Sequence, residues 1–238
     1  MTRRLQGRRA PARRKGKIIA IDGPAGVGKS TVGHLVAERL GYDFINTGEM
    51  FRALAWKAIA AGVPVEDLRA VAALAGRLKW EFRPTPERTL KTFIDGESVA
   101  PFLRDEGVSA ASSAVAANPG VRRFMCRLQR RLGAAGAIVM EGRDIGTHVF
   151  PDAEHKIYLD ADVDERARRR YRQLRASGAK ARLQAVREAM LKRDLNDLKR
   201  KINPLSTASD AVVLDSTHLT LHEVAEKIIR MVRRNGGR

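Results

Sequence analysis

The sequence predicts an α/β protein built around a phosphate-binding loop, with a second lobe inserted into it, and three observations carry that expectation. Short apolar runs such as Ile18-Ile19-Ala20-Ile21 alternate with amphipathic stretches of helical period, the rhythm of parallel βαβ units. Gly23, Gly28, Lys29 and Ser30 satisfy the spacing G-x-x-x-x-G-K-[ST] directly after the first of those runs. Between residues 63 and 131 the rhythm lapses. There Trp80-Glu81-Phe82, Thr92-Phe93-Ile94 and Ser98-Val99 read as strands, with Asp95-Gly96 as a hairpin turn.

Taken in order, residues 1 to 16 read as a basic tail expected to be disordered, and the loop-bearing half of the core is expected over 17–62. The loop's glycines let backbone N–H groups turn inward around an anion, and TVGHLVAERL continues as a helix whose positive N-terminus faces it. Lys29 can reach the β/γ-phosphates of a purine nucleotide, and the Ser30 hydroxyl can sit on Mg²⁺. Gly41 stops that helix before the strand Phe44-Ile45-Asn46, and Thr47 is expected to cap the next helix, which carries Arg52 in its first turns. The insertion, 63–131, ends in two helical stretches divided at Asn118-Pro119, the second strongly basic. Core resumes over 132–160: Ala137-Ile138-Val139-Met140 is a buried strand ending at Glu141, an acid positioned to hold Mg²⁺ or its waters, and Lys156-Ile157-Tyr158-Leu159 is another. Over 161–178, Arg166, Arg168, Arg169, Arg170 and Arg172 crowd one helix capped by Asp162 or Asp164, a density of cations suited to phosphate contacts. The core closes over 179–238 with a helix bearing Arg193, Asp197 and Arg200 on one face, the strand Ala211–Asp215, and an amphipathic helix.

Apolar residues make up 44% of the chain, yet no run approaches the roughly 18 needed for a membrane span. The one cysteine, Cys126, has no partner for an internal disulfide, which fits a reducing cytoplasm. Net charge is +18; eight Lys/Arg and no acid lie in residues 1 to 17, leaving 37 basic against 27 acidic residues elsewhere. The tail's arginines are suited to nonspecific contact with RNA or acidic surfaces. No aromatic residue interleaves them to stack on bases, which argues against a dedicated nucleic-acid reader.

Together the segments IAIDGPAGVGKST, NTGEMFRA, SSAVAANPGVR, MEGRDIGTHVFPDA, DERARRRY, KRDLNDLKRKINPL and DAVVLDST resemble bacterial-type cytidylate (CMP/dCMP) kinases, a branch of the nucleoside monophosphate kinases. The resemblance runs from about Lys17 to Val232, and its GRDIGT-x-VFPDA and RD-x-x-D-x-x-R-x-x-x-PL segments are far more specific than the loop motif. It implies a doubly wound parallel sheet of five strands with helices on both faces, an enlarged monophosphate-binding lobe and a short lid over 161–178. It implies a monomer acting on ATP, Mg²⁺ and CMP or dCMP. Gly23, Pro24, Ala25, Gly26 and Val27, with Gly28, Lys29, Ser30 and Thr31, would cradle ATP. Glu141 with Ser30 would serve the metal. Thr47 lies on the acceptor side, where Arg52 and Arg143 would clamp the acceptor phosphate. Ser113, Arg122, Asp144 and Arg200 would read the cytosine, while Arg193 and Asp197 would meet the pentose. Among the lid arginines, Arg166, Arg169 and Arg170 would close over the migrating phosphoryl group.

Physical chemistry agrees with that division. Phosphoryl transfer needs two anions held in line while charge on the migrating group is neutralised, and it needs little covalent help. Cytosine offers an N4 donor beside N3 and O2 acceptors, which an acid and guanidinium groups match; uracil reverses the pattern and leaves them mismatched. Three positions depart from the family's habit: Asn46 stands for Asp, Glu49 for a small residue and Phe51 for Tyr. Two other functions fit parts of the sequence: a kinase of another small acceptor such as UMP or shikimate, and an RNA- or ribosome-associated nucleotide switch. Shikimate-type kinases lack an insertion as long as 63–131.

Overall fold

A computed structural model describes residues 16–103, 105–176 and 178–234, so the basic tail, apart from Gly16, lies outside the described residues. In chain order the elements are β1 (Ile18–Asp22), α1 (Lys29–Leu40), β2 (Asp43–Asn46), α2 (Thr47–Ala60) and α3 (Leu68–Arg77). Next come β3 (Trp80–Pro84), β4 (Leu90–Ile94), β5 (Glu97–Ser98), α4 (Glu106–Ala117) and α5 (Pro119–Gly133). Then follow β6 (Ile138–Glu141), a π-helical turn over Ile145–Val149, β7 (His155–Asp160), α6 (Val163–Ala176), α7 (Leu183–Lys199), β8 (Val212–Asp215) and α8 (Leu221–Arg234).

Five strands form one parallel sheet in the order β2-β6-β1-β7-β8. β1 is central because its residues alternate between two apolar layers. Ile19 and Ile21 pack with Val139, Ile157 and Leu159 against α1 and α8, whereas Ala20 faces Ile45, Met140 and the helices α2 to α5. Each fully buried Ile or Leu in these layers contributes about 1.5–3 kcal/mol, so the two layers decide the sheet's register. Register in turn aligns Ile21, Asn46 and Glu141 at the carboxyl ends of β1, β2 and β6. Strands are added on opposite sides of β1, β2 and β6 on one and β7 and β8 on the other, and the crevice at such a switch in strand order is where open α/β sheets hold ligands.

The lapse in the βα rhythm corresponds to a separate antiparallel sheet, β3-β4-β5. Its turn is made by Asp95 and Gly96, both with positive φ (53° and 84°), as a two-residue hairpin of this sequence requires. Asn118 ends α4 and caps α5: its side chain accepts from the N–H groups of Gly120 and Val121 and donates to Leu68 O at 2.9 Å. Asp162 caps α6, accepting from Asp164 N at 2.8 Å. The cap of α2 differs from expectation. Asn46 occupies that place without a capping bond, and Thr47 is the first helical residue, its hydroxyl turned to Glu141 O at 2.7 Å. Among the described residues no helix is long and apolar enough to cross a membrane.

Candidate active site

The loop between β1 and α1 is shaped by two glycines that tolerate no substitute. At Gly23, φ is 146° and a Cβ would lie 2.0 Å from Leu159 O; at Gly28, φ is 97° and a Cβ would lie 2.4 Å from a methyl of Leu221. Backbone is thereby pressed against β7 and α8, and no side chain caps the start of α1, leaving its first N–H groups to face the loop's hollow. Lys29, buried, donates to Gly23 O at 2.8 Å and Pro24 O at 2.6 Å. Burial, reinforced by nearby Arg143, pushes its ammonium down to about 7, against the opposing pull of Glu141 and Asp22.

At the neighbouring strand end, Ser30 Oγ donates to Glu141 Oε1 at 2.5 Å, and Asn46 Nδ2 donates to Ser30 Oγ at 3.3 Å. A hydroxyl and a carboxylate oxygen this close, beside the loop, are a hard-oxygen pair that fits Mg²⁺, which takes one or two protein oxygens and completes its shell with water and phosphate. The asparagine at position 46 keeps a second carboxylate away from Glu141 and ties the hydroxyl instead.

Across from the loop, five side chains alternate in charge. Arg143 Nε meets Asp197 Oδ2 at 2.8 Å; Asp197 Oδ1 meets Arg200 Nη1 at 3.2 Å; Arg200 Nη2 lies 3.7 Å from Asp144 Oδ1; Asp144 Oδ2 meets Arg122 Nη2 at 2.6 Å. They come from β6's end, α7 and α5, elements distant in sequence. Burial works against the charge of Asp197, but Arg143 and Arg200 together hold its carboxyl below the usual range. Burial and then Arg122 push Arg200 down to about 10, and burial and then Arg143 do the same to Arg193. Arg52 is also lowered, chiefly by burial. Arg52 Nε, Arg122 Nε and Arg200 Nη2 are buried N–H donors without a partner among the described residues. Buried cationic donors without a hydrogen bond require an explanation, and an anionic, acceptor-rich ligand is the direct one. Phe51, the residue without a hydroxyl, instead supports Arg122, whose guanidinium lies 5.5 Å from its ring centre.

Arg193 makes no hydrogen bond or ion pair among the described residues, so the expected helical ladder reduces to Asp197 with Arg200, and Asp197's second partner is Arg143. Ser113 is exposed on α4, without a hydrogen bond to the set. The lid arginines divide. Arg166 is buried: it donates to Asp194 Oδ2 at 2.5 Å, to Ala25 O at 3.0 Å and to Ala161 O at 3.0 Å. Its guanidinium is therefore committed to holding the loop, which differs from the expectation that it closes over a phosphoryl group. Arg169 turns away as well, to Glu165 and to Ser216 O at 2.6 Å. Arg170 alone of the three is exposed without a hydrogen bond or ion pair among the described residues, and its charge is felt at Arg52.

Sequence reasoning missed three residues. Asp22 accepts from the N–H groups of Ile145 and Gly146 at 2.9 and 2.7 Å, fixing the turn that follows Arg143 and Asp144; burial raises its carboxyl to about 6. The signal available was an acid closing a buried strand. Asp194 grips the loop through Ala25 N at 3.1 Å, and Asn203 Nδ2 donates to Asp144 Oδ2 at 3.1 Å. Neither has a spacing that would have singled it out.

A family model described as cytidylate kinase matches residues 19–234. A cytidylate kinase from Geobacillus thermodenitrificans is 46% identical over 92% of this chain and 97% of its own length. One from Symbiobacterium thermophilum is 44% identical over 91% and 96%. Among solved structures, an uncharacterized protein from Eubacterium ventriosum shares the fold with a TM-score of 0.53 at 14% identity, over 92% of this chain and 99% of that one.

Proposed function

This chain belongs to the cytidylate kinase family and is an ATP-dependent nucleoside monophosphate kinase phosphorylating CMP; we propose that it also accepts dCMP and works by direct in-line transfer between two facing anion sites. The observation that carries this reading is the pairing of an open phosphate loop with a second set of arginines whose buried donors Arg52 Nε, Arg122 Nε and Arg200 Nη2 lack hydrogen-bond partners among the described residues.

In this mechanism the loop from Gly23 to Thr31 holds the ATP phosphates, and Lys29 leaves the Gly23 and Pro24 carbonyls to follow the transferring charge. Ser30 and Glu141 would hold Mg²⁺, which when bound neutralises charge on the phosphates. Arg52 and Arg143 clamp the acceptor phosphate, with Asp197 fixing the Arg143 guanidinium from behind. Asp144 Oδ1 and Arg200 Nη2, an acceptor and a donor 3.7 Å apart, match the N4–H and N3 edge of cytosine and mismatch uracil. Arg193 and Asp197 lie on the pentose side. We assign residues 63–131 to the acceptor lobe and 161–178 to the lid, with Arg170 as the lid arginine that reaches the phosphoryl group. A site open to water would hydrolyse ATP, which gives closure its purpose. All of these groups come from one chain, in keeping with a monomer, and the reducing cytoplasm suits both the nucleotides and the lone thiol. The arginine-rich tail is assigned nonspecific contact with RNA or acidic surfaces and no catalytic part.

The test is ADP release with ATP·Mg²⁺ against CMP, dCMP, UMP, AMP and shikimate. CMP and dCMP are expected to accelerate it well above the rest; acceleration by neither would sink the reading.

A further inference from the structure

Asn203 sits in the loop after α7, and its backbone is unusual: φ is 49°, in the left-handed region, immediately before Pro204. A residue preceding proline is normally driven to extended conformations, and left-handed backbone in a non-glycine residue persists only where its surroundings hold it. Three contacts do so here. Asn203 O accepts from Arg200 Nε at 2.6 Å, Asn203 Nδ2 donates to Asp144 Oδ2 at 3.1 Å, and Leu205 N donates back to Asp197 O at 2.8 Å. An amide oxygen turned toward Asp144 would face a carboxylate, so only the N–H side can be presented.

The consequence lies in how the two oxygens of Asp144 differ. Oδ2 takes both short contacts, from Arg122 Nη2 at 2.6 Å and from Asn203 Nδ2. Oδ1 has only the longer approach of Arg200 Nη2 at 3.7 Å, and that nitrogen is itself without a hydrogen bond among the described residues. We propose that Asn203 is a specificity-positioning residue: by occupying Oδ2 and bracing Arg200 through its own carbonyl, it leaves Asp144 Oδ1 and Arg200 Nη2 as the one acceptor–donor pair offered to the acceptor base. Without the amide, the carboxylate can rotate about its Cβ–Cγ bond and share either oxygen with either guanidinium, and the pattern that rejects uracil blurs. The inference rests on Asp144 reading the base, and the experiment separates the two claims.

Asn203→Gly keeps the left-handed backbone and the carbonyl that accepts from Arg200 while removing only the amide. Steady-state kcat/KM for CMP and UMP, the KM for ATP and the thermal midpoint are measured for this variant, for Asn203→Asp and for Asp144→Asn. Asn203→Gly is expected to lower the CMP-to-UMP ratio of kcat/KM by about tenfold, the lower end of the scale of one hydrogen bond to a charged acceptor, with the ATP KM within about twofold. Asn203→Asp, the same shape with a carboxylate against a carboxylate, is expected to lower it further. If Asp144→Asn shifts the ratio and Asn203→Gly does not, Asn203 has no part in specificity. If Asp144→Asn leaves the ratio unchanged, the base-reading assignment fails and this inference with it. An equal loss for both acceptors accompanied by a lower thermal midpoint would make Asn203 merely structural.

Discussion

Replacing Arg166 by alanine separates two roles that the sequence leaves joined. The guanidinium and its partner Asp194 have side chains only 8% and 10% exposed, and the same guanidinium also serves the carbonyls of Ala25 and Ala161. Arg166→Ala leaves a carboxylate buried beside two carbonyls that have lost their donors. Removing one member of a buried pair costs about 3–5 kcal/mol; with water entering the space left behind, the lower end, about 3 kcal/mol, is the expectation here. For a chain of this length that is a fall of roughly 6–12 °C in Tm, readable by circular dichroism or calorimetry. Asp194 also holds Ala25 N, so the loop loosens with it and the KM for ATP rises severalfold. The double variant Arg166→Met with Asp194→Leu is expected to recover most of the stability, since a packed apolar pair can replace a buried ion pair, but not the ATP KM. An Arg166→Ala enzyme with unchanged Tm and ATP KM, and a kcat lowered a hundredfold, would refute this reasoning and return Arg166 to the phosphoryl group.

Lys29 is expected to be mostly neutral at pH 8 in the free enzyme, its ammonium being held near 7 chiefly by burial, and to regain its proton against phosphate oxygens. Calorimetry of ATP binding in buffers of different ionisation enthalpy should then show uptake of nearly one proton at pH 8 and little at pH 6, with affinity falling up to about tenfold per pH unit above 7; equal uptake at both values rules this out. Arg170→Ala should leave Tm within about 1 °C, as an exposed side chain without partners among the described residues, while lowering kcat by about two orders of magnitude; an unchanged kcat would remove it from the lid's chemistry. Asp197→Ala frees both Arg143 and Arg200 and should raise the KM for CMP about tenfold with little change in that for ATP. Untouched acceptor kinetics would reduce Asp197 to an ordinary ion pair.

Much of the fold was legible because its signals are local. Four apolar residues from Ile18 to Ile21, the glycines after them and the Asp95-Gly96 turn each constrain the backbone within a few residues, and the strands and the second sheet appear where those signals lie. The candidate site's grouping was legible where spacing carries the expectation: Lys29, Ser30 and Glu141 do come together beside the loop. It was illegible where a side chain's role depends on which distant element it meets. Arg166, Arg169 and Arg170 look alike along the helix; only the placement of Asp194 on α7 and of Ser216 after β8 shows that two of them face the protein. Asp22 and Asn203 were missed for the same reason, since their partners, the turn at Ile145 and the carboxylate of Asp144, are 123 and 59 residues away.

The alternating line from Arg143 through Asp197, Arg200 and Asp144 to Arg122 has a consequence for anyone redesigning the enzyme. With the roles proposed above, recognition of the base and grip on the phosphate would be ends of one electrostatic truss, so a substitution made to admit a different pyrimidine would also relax the strut that aims the phosphate clamp. Retargeting by a single exchange at Asp144 would gain a new selectivity at the cost of speed. A variant that keeps both must replace the charges of the whole line together, restoring its alternation from end to end.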